Sequence, residues 1–457
     1  MPGKKIACLG GGSLYFTRAL PDLAVTAGLA GSEIALYDID QQKARLMARH
    51  GSRLVAQSGT GQKVFACETL DEALDGADFV ITSIGGVGES TGNVYGTGFH
   101  RQDILIPARY GVHQLIGDTG GPAGMMMALR SIPIYLNICQ VMEKRCPSAI
   151  LFNHSNPLAV LVRAMVKYSR INVVGICHGV QEAILHVSRV MGIPPHELDV
   201  RYIGTNHYHW FTAIHHNGRD IYPEVRRRFA GRESVDNEML TQKLSRAYGY
   251  QLTHLNDDHT IEFYPYMAQT PGGVLPYNLN LEVWLPGGYV ASETAQGEPG
   301  DAGQAGHRQA QMLDYEKELA AMQLPAEMSD PLTGEGLGSL LESISLGRRQ
   351  VYVVNIPNHG AVPNLPPYAV LELDGVTDRL GVRGVCMGDA PLTLEGILHR
   401  RIIWQELVAD AGAQGNRSLA LQALLLDEMA VRPEQAERML DELLAASRPM
   451  LPQFFAM

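Results

Sequence analysis

The N-terminal stretch restricts the fold of this chain more than any other part of it. An apolar segment from Lys4 to Leu9 runs into the turn Gly10-Gly11-Gly12-Ser13, and apolar residues at helical spacing follow over 17–30. A second apolar segment, Glu33 to Tyr37, ends in Asp38. This order of strand, glycine turn, helix, strand and acid predicts a βαβ unit that binds a dinucleotide.

The predicted roles within this unit follow from the chemistry of a pyrophosphate and a ribose. Glycines let backbone N–H groups approach a pyrophosphate at a helix N-terminus, and an acid after the second strand can accept hydrogen bonds from the ribose. Tyr15 replaces the last glycine of the G-x-G-x-x-G pattern. A turn that binds no nucleotide is therefore the alternative. The predicted cofactor-binding residues are Gly10, Gly11, Gly12, Ser13 and Asp38.

Strand and helix patterns continue to alternate as far as residue 176. Strands are predicted at 64–66, 78–83, 149–152 and 173–176, and helices at 70–74, 123–144 and 158–168. Alternation of this kind predicts an α/β fold, a Rossmann-like doubly wound parallel sheet with ligands at the carboxyl ends of its strands. Four polar or thiol side chains come just after such ends: Asn153, Asn156, Cys177 and His178.

The character of the chain changes after about residue 195. Residues 200–285 are rich in Tyr, His and Trp, residues 286–308 are Gly-rich and polar, and 392–446 has Leu and Ala at helical spacing. We predict an NAD-binding domain over 1–199. A second, α+β domain over 200–457 would contribute to the substrate and metal site and to subunit contacts, and 286–308 would be a loop or lid.

Composition excludes several classes of partner. The net charge is −11, and the single basic run, Arg226 to Arg228, is short. These features argue against nucleic acid and anionic membranes as partners, and no uncharged apolar stretch is long enough for a membrane span. The six cysteines are scattered. A cytoplasmic protein with reduced thiols is the expectation.

The strongest chemical signal is a cysteine and a histidine that follow separate strand-like segments. Cys177 directly follows the predicted strand at 173–176, and His207 comes shortly after the strand-like segment 200–205. A thiolate, an imidazole and open coordination positions suit a divalent metal that also binds substrate. A thiol nucleophile with a histidine base, or a cysteine that only packs, are the alternatives. Asn153 and Asn156 fit a substrate site, although Asn156 could simply cap a helix.

Several motifs together resemble glycoside hydrolase family 4, the NAD- and metal-dependent glycosidases with a malate/lactate dehydrogenase-like fold. Besides the glycine turn and Tyr37-Asp38, they extend over most of the chain, to about residue 370: Gly117-Asp118-Thr119-Gly120-Gly121-Pro122, Asn153-His154-Ser155-Asn156-Pro157, Cys177-His178-Gly179-Val180, Thr205-Asn206-His207, Asp258-His259-Thr260-Ile261-Glu262-Phe263 and Asn355-Ile356-Pro357-Asn358.

This resemblance implies a role for each matching position. Cys177 and His207 would ligate a catalytic Mn²⁺ or another divalent metal. Asn153, Asn156, Arg101 and His259 would contact the substrate. His178 would lie near the reacting centre, and Asp118 would assist the departing group. The base would be Asp258, with Tyr264 as the alternative.

The resemblance also implies the chemistry and the substrate. NAD-dependent members of this family do not use the two-carboxylate scheme of most glycosidases. They oxidise C3 of the sugar, remove the C2 proton, eliminate the aglycone, add water and re-reduce C3. Cys177-His178-Gly179 resembles the α-glucuronidase branch, whereas C-H-S is typical of α-glucosidases and α-galactosidases and C-H-E of α-galacturonidases.

The expected partner is therefore a small glycoside, in particular a uronide, and relatives imply a homodimer or homotetramer. α-Glucosides, α-galactosides and galacturonides are the alternatives within the family. A 2-hydroxyacid dehydrogenase of the same fold is the alternative outside it. An ordinary dehydrogenase has no need of the metal pair Cys177 and His207, and it would produce NADH, whereas the glycosidase would release sugar without net NADH.

Overall fold

A computed structural model describes residues 3–85, 98–253, 256–268, 277–280, 312–331, 336–427, 429 and 431–455. The predicted loop at 286–308 lies outside these residues. The described strands form one large and one small sheet. They are β1 Lys5–Leu9, β2 Glu33–Tyr37, β3 Lys63–Ala66, β4 Phe79–Thr82, β5 Ile150–Asn153, β6 Asn172–Gly175, β7 Leu198–Thr205, β8 Tyr208–His216, β9 Arg219–Asp220, β10 Val351–Pro357, β11 Val370–Asp378 and β12 Gly381–Gly384.

The large sheet has nine strands in the order β12-β11-β10-β6-β5-β4-β1-β2-β3. The six strands from β6 to β3 are parallel, in the doubly wound order 3-2-1-4-5-6. Strands β4 and β5 are buried along their whole length, as expected for a parallel sheet covered on both faces. The Rossmann-like fold predicted from the alternating pattern is confirmed.

Helices cover both faces of this sheet and fill the second half of the chain. They are α1 Phe16–Val25, α2 Gln41–Ser58, α3 Leu70–Leu74, α4 Gly98–Ala108, α5 Gly121–Arg145, α6 Leu158–Tyr168, α7 Gly179–Met191, α8 Tyr222–Ala230, α9 Met239–Tyr248, α10 Asp257–Thr260, α11 Leu337–Leu346, α12 Leu392–Gln414, α13 Arg417–Leu426, α14 Pro433–Ala446 and α15 Pro452–Phe455. Residues 312–321 are also helical.

The part of the chain that begins with β7 contributes to both sheets. Strand β10 pairs antiparallel with β6 through Asn355 and Gly175, and β11 and β12 continue the large sheet from there. Strands β7, β8 and β9 form a separate antiparallel sheet. The division into domains at residue 199 remains a prediction.

Helix α5 is long and apolar enough to cross a membrane by length and composition alone. However, 67% of its most apolar window is buried inside the protein. It packs against α6, α4 and α12. The apolar composition of α5 is therefore explained by its place in the core.

The glycine turn after β1 gives a first prediction about stability. Gly10 has a φ of 73°, and a Cβ added there would overlap the carbonyl oxygen of Ser83 beside β4. We expect Gly10→Ala to destabilise the protein by at least about 3 kcal/mol, because backbone strain and a backbone clash add together.

Gly59 provides a matched control for this substitution. It ends α2 with a φ of 69°, and a Cβ there would meet nothing within 4 Å. Gly59→Ala should lower the free energy of unfolding only by the backbone strain, about 1–2 kcal/mol. Denaturant unfolding of both variants measures the difference. Equal losses would show that the contact between the turn and Ser83 is unimportant.

Candidate active site

One cavity of about 670 Å³ lies at the carboxyl edge of the parallel sheet. The ends of β5 and β6, the start of α7 and the tip of the β7–β8 hairpin all contribute to its wall. Six of the residues that the sequence predicted as catalytic, substrate-binding or metal-binding line it: Asp118, Asn156, Cys177, His178, His207 and His259. The fold thus brings together residues that are far apart in the chain.

Cys177 lies just beyond β6 and faces the hairpin tip. Its Sγ is 3.5 Å from Nε2 of His207. Other buried thiols have ordinary packing surroundings, and burial raises the pKa of Cys67, Cys139 and Cys146 to about 11. Cys177 differs from them because an imidazole faces its sulfur.

His207 occupies a two-residue turn in an unusual backbone conformation. Thr205 pairs with Tyr208 across the β7–β8 hairpin, so Asn206 and His207 form the tip. His207 has a φ of 59°, a region that favours Gly or Asn. The tip is buried, since Asn206 is 0% exposed and His207 is 7% exposed. Strain of this kind is commonly retained at functional sites.

Hydrogen bonds determine which nitrogen of His207 carries its proton. The hydroxyl of Thr119 donates to Oδ1 of Asp118 at 2.6 Å, and Thr119 Oγ1 lies 3.0 Å from His207 Nδ1. Since the hydroxyl proton is already used, Nδ1 must be the donor and Nε2 keeps its lone pair. Burial lowers the pKa of His207 to about 3, so the imidazole is neutral. A neutral imidazole oriented through its other nitrogen is the form that binds metals.

Two further side chains complete a group that could hold a metal ion. Ligand atoms of Asp118, His207 and His259 all lie within 4.8 Å of one another. Burial lowers the pKa of His259, which favours its neutral form. Asn156 Nδ2 donates to the second oxygen of Asp118 at 2.7 Å. With the nearby Cys177 sulfur, this mixture of S, N and O donors fits a first-row divalent metal.

The loop that carries Asp118 is held in place by Glu262. Its Oε1 accepts the N–H of Gly117 at 2.9 Å, and its Oε2 accepts those of Thr119 at 3.0 Å and Gly120 at 2.9 Å. Glu262 is only 1% exposed; burial and the nearby Asp118 raise its pKa, whereas the three N–H groups that it accepts stabilise the carboxylate and lower it. Glu262 therefore orients the Asp118 loop without lining the cavity itself.

The predicted cofactor turn has the close backbone contacts that its glycines allow. The N–H of Gly12 donates to Asp38 Oδ2 at 2.9 Å, and the N–H of Gly11 donates to the carbonyl of Tyr37. A Cβ on Gly12 would lie 2.6 Å from Cβ of Lys43. Ser13 Oγ is 2.9 Å from Ser83 Oγ at the end of β4. This arrangement fits a dinucleotide, since the turn and the acid meet at the edge where such cofactors bind.

Four of the predicted catalytic and substrate-binding residues do not line the cavity. Asn153 is fully buried, accepts from Tyr135 and Thr82, and donates to the carbonyl of Ser155, so it organises the end of β5. Arg101 lies on α4, and Asp258 lies on α10 beside His259. Tyr264 is buried, accepts a hydrogen bond from Tyr208 and borders a different, smaller cavity. Their assigned roles remain predictions.

Sequence reasoning also left several important residues without a role. Thr119 and Glu262 belong to motifs that were noticed, but their contacts depend on two loops meeting in space. Glu182 and His186 could have been found from the helical spacing after His178, because they lie on the same face of α7 and line the cavity.

The fold and the site together define the class of this protein. It is an α/β protein with a fold of the dinucleotide-binding type and a cluster of potential metal ligands at the edge of its sheet. A model of family 4 glycosyl hydrolases matches residues 5–193, and a model of the C-terminal domain of that family matches residues 202–430. The chain belongs to glycosyl hydrolase family 4, as its motifs predicted, and it is a glycoside hydrolase.

Similar proteins include glycosidases with different substrates. An α-galactosidase of Bacillus subtilis is 29% identical over 99% of this chain and 100% of its own length. An α-galacturonidase of the same organism is 29% identical over 96% of each chain. Among solved structures, the lplD protein of Bacillus subtilis has a TM-score of 0.77 with 27% identity, covering 97% of this chain and 100% of that one. A 6-phospho-α-glucosidase from gut microorganisms, in complex with NAD and Mn²⁺, has the same TM-score with 20% identity, covering 99% of each chain.

Proposed function

We propose that this enzyme is an NAD- and Mn²⁺-dependent α-glycosidase that acts on α-glucuronides in the cytoplasm. The observation that carries the proposal is the donor cluster of Cys177, His207, Asp118 and His259 in one cavity at the edge of a dinucleotide-type sheet. When bound, NAD⁺ would supply reversible hydride transfer at C3 of the sugar and Mn²⁺ would polarise the sugar oxygens.

The residues around the cluster orient the substrate and handle its protons. Asn156 lies beside Asp118 and offers an amide to the hydroxyl groups of a sugar bound at the cluster. We assign assistance of the departing group to Asp118, whose position is fixed by a hydrogen bond from Thr119 to one of its oxygens and from Asn156 to the other. His178 directly precedes α7 at the cavity wall, and its imidazole lies 3.1 Å from the carboxylate of Glu182.

The glucuronide preference rests on the sequence Cys177-His178-Gly179, which resembles the α-glucuronidase branch of the family. Similarity to an α-galactosidase and an α-galacturonidase keeps those two substrates as alternatives. The test is a panel of p-nitrophenyl α-glucuronide, α-glucoside, α-galactoside and α-galacturonide with NAD⁺, Mn²⁺ and a reductant. We expect the fastest release from the glucuronide and no net NADH. Net NADH from a 2-hydroxyacid, without sugar release, would refute the proposal.

Asp258 is the proposed base that removes the C2 proton, and its substitution should have the larger effect. Burial raises the pKa of Tyr264 and its neighbouring tyrosines raise it further, so its phenolate form is disfavoured at neutral pH. We expect Asp258→Asn to lower kcat by about 10²- to 10⁴-fold, the usual contribution of a general base. Tyr264→Phe, the matched control, should change kcat far less.

Deuterium exchange at C2 in D₂O measures this step directly. Exchange should be lost in Asp258→Asn and retained in Tyr264→Phe. The reverse pattern would assign the base to Tyr264, and exchange retained in both variants would exclude both residues.

A further inference from the structure

One face of α7 extends the active-site cavity away from the donor cluster. His178, Glu182, Leu185, His186 and Arg189 all line the cavity, and apart from the adjacent Leu185 and His186 they follow each other at intervals of three or four residues. Residues at this spacing share one face of a helix. From His178 to Arg189 the helix rises about 16 Å, at roughly 1.5 Å per residue. The cavity is thus longer than a single sugar ring.

The acidic residues that line the cavity near this face already have protein partners. Oxygens of Glu182 face His178 at 3.1 Å. Glu238, which lines the same cavity, accepts two hydrogen bonds from Arg232, at 2.8 and 2.6 Å, and lies 3.6 Å from His186. The hydrogen bonds from Arg232 and His186 lower the pKa of Glu238 to about 2, against the effect of its burial.

Arg189 is the exception on this face. It is exposed at the cavity wall, and within the part of the chain that the structure describes it forms no ion pair. The two carboxylates that line the cavity near this face, Glu182 and Glu238, contact His178 and Arg232 instead. A guanidinium in a cavity, with its planar set of donors available, is well suited to bind a carboxylate in bidentate fashion.

We propose that Arg189 forms a carboxylate-binding subsite at the far end of the active-site cavity. The inference rests on the proposed function and deepens it, because it predicts that the enzyme prefers acidic substrates. The carboxylate could come from the uronic acid ring itself or from an acidic aglycone. The distance along α7 between Arg189 and the donor cluster favours a carboxylate on the aglycone. A carboxylate on the sugar ring is also within reach, because the arginine side chain is long and can extend towards the cluster.

Two pairs of substrates distinguish these sources. The first pair is p-nitrophenyl α-glucuronide and p-nitrophenyl α-glucoside, which differ in the ring carboxylate. The second is 3-carboxy-4-nitrophenyl and p-nitrophenyl α-glucoside, which differ in the aglycone carboxylate. For each pair, the ratio of kcat/KM between the acidic and the neutral member is measured in wild type, Arg189→Ala and Arg189→Lys. Arg201→Ala is the control, since Arg201 is an exposed arginine of β7 away from the cavity lining.

We expect Arg189→Ala to lower the ratio by about 10- to 100-fold in at least one pair, the usual effect of losing hydrogen bonds to a charged group. Arg189→Lys should restore part of it, because lysine keeps the charge but not the bidentate geometry. A fall in the first pair assigns the carboxylate to the ring, and a fall in the second assigns it to the aglycone. Ratios within twofold of those of Arg201→Ala in both pairs would overturn the proposal.

A binding measurement separates failure of this inference from failure of the proposed function. If the wild-type enzyme released no sugar from any substrate, the proposed function would fail. Calorimetric titration of glucuronate and of 4-nitrophenyl and 3-carboxy-4-nitrophenyl α-glucoside onto the NAD⁺- and Mn²⁺-loaded protein would still test Arg189. Tighter binding of an acidic compound by wild type than by Arg189→Ala supports the subsite, and equal binding of every acidic compound refutes it.

Discussion

Replacing His207 by Asn is expected to abolish metal-dependent sugar release and to change the stability of the protein little, because relief of backbone strain offsets the loss of the hydrogen bond to Thr119. The backbone of His207 is in the left-handed region, with a φ of 59°. Asn adopts this conformation more readily than His, so the turn should keep its shape. Asn lacks the imidazole nitrogen that faces Cys177, and the site would lose one of its metal ligands. We expect activity to fall by at least about 10³-fold, in line with removal of a group that stabilises charge in the transition state.

Separate measurements of stability and metal binding make this prediction specific. Thermal unfolding of the metal-free protein should show little change, whereas titration with Mn²⁺ should show strongly weakened binding. His216→Asn is the control, because His216 ends the same strand β8 and contacts Glu197 and the neighbouring Asn217 at the surface. It should behave like wild type. If His207→Asn bound Mn²⁺ with wild-type affinity, His207 would not be a ligand.

Much of the fold could be predicted because its parallel strands are buried on both faces. Such strands are continuous apolar runs, and β4 and β5 are easily recognised in the sequence for this reason. The junction between β10 and β6 could not be predicted in this way. It consists of a single pairing, Asn355 with Gly175, between segments that are far apart in the chain. Nothing in either local pattern specifies which strand is its neighbour.

The candidate site could be predicted only as far as local motifs define it. Cys177 and His207 were identified because each follows a strand, and the fold does bring them together. The orientation of His207 depends on Thr119, whose hydroxyl bridges Asp118 and the imidazole. That contact joins two loops that are 88 residues apart in the chain. Hydrogen-bond partners of this kind have no periodicity or spacing that a sequence could reveal.

Replacing Glu262 by Leu is expected to disrupt the site without touching any metal ligand. The carboxylate accepts the N–H groups of Gly117, Thr119 and Gly120, and Leu would leave all three buried donors without an acceptor. Each unsatisfied buried donor costs about 1–3 kcal/mol, so the total should be at least about 3 kcal/mol. This is a large part of the stability of a typical domain.

Glu262→Gln provides a graded comparison and keeps the prediction testable if the Leu variant fails to fold. The amide oxygen can still accept the two N–H groups that Oε2 accepts in the wild type, from Thr119 and Gly120. Its NH₂ group would then face the N–H of Gly117, which loses its acceptor, at a cost of about 1–3 kcal/mol. Denaturant unfolding of the metal-free protein should rank the three proteins as wild type, Gln and Leu.

The affinity for Mn²⁺ should follow the same order, because Asp118 and Thr119 lie on the loop that Glu262 holds. Substitution of groups that orient a ligand typically lowers metal affinity by about 10- to 100-fold. Full Mn²⁺ affinity in Glu262→Gln, despite reduced stability, would mean that the Asp118 loop is positioned by its contacts with Asn156 and His207 instead. Reduced affinity would show that the buried carboxylate, although it contacts neither substrate nor metal, determines the geometry in which Asp118 and His207 face the cavity.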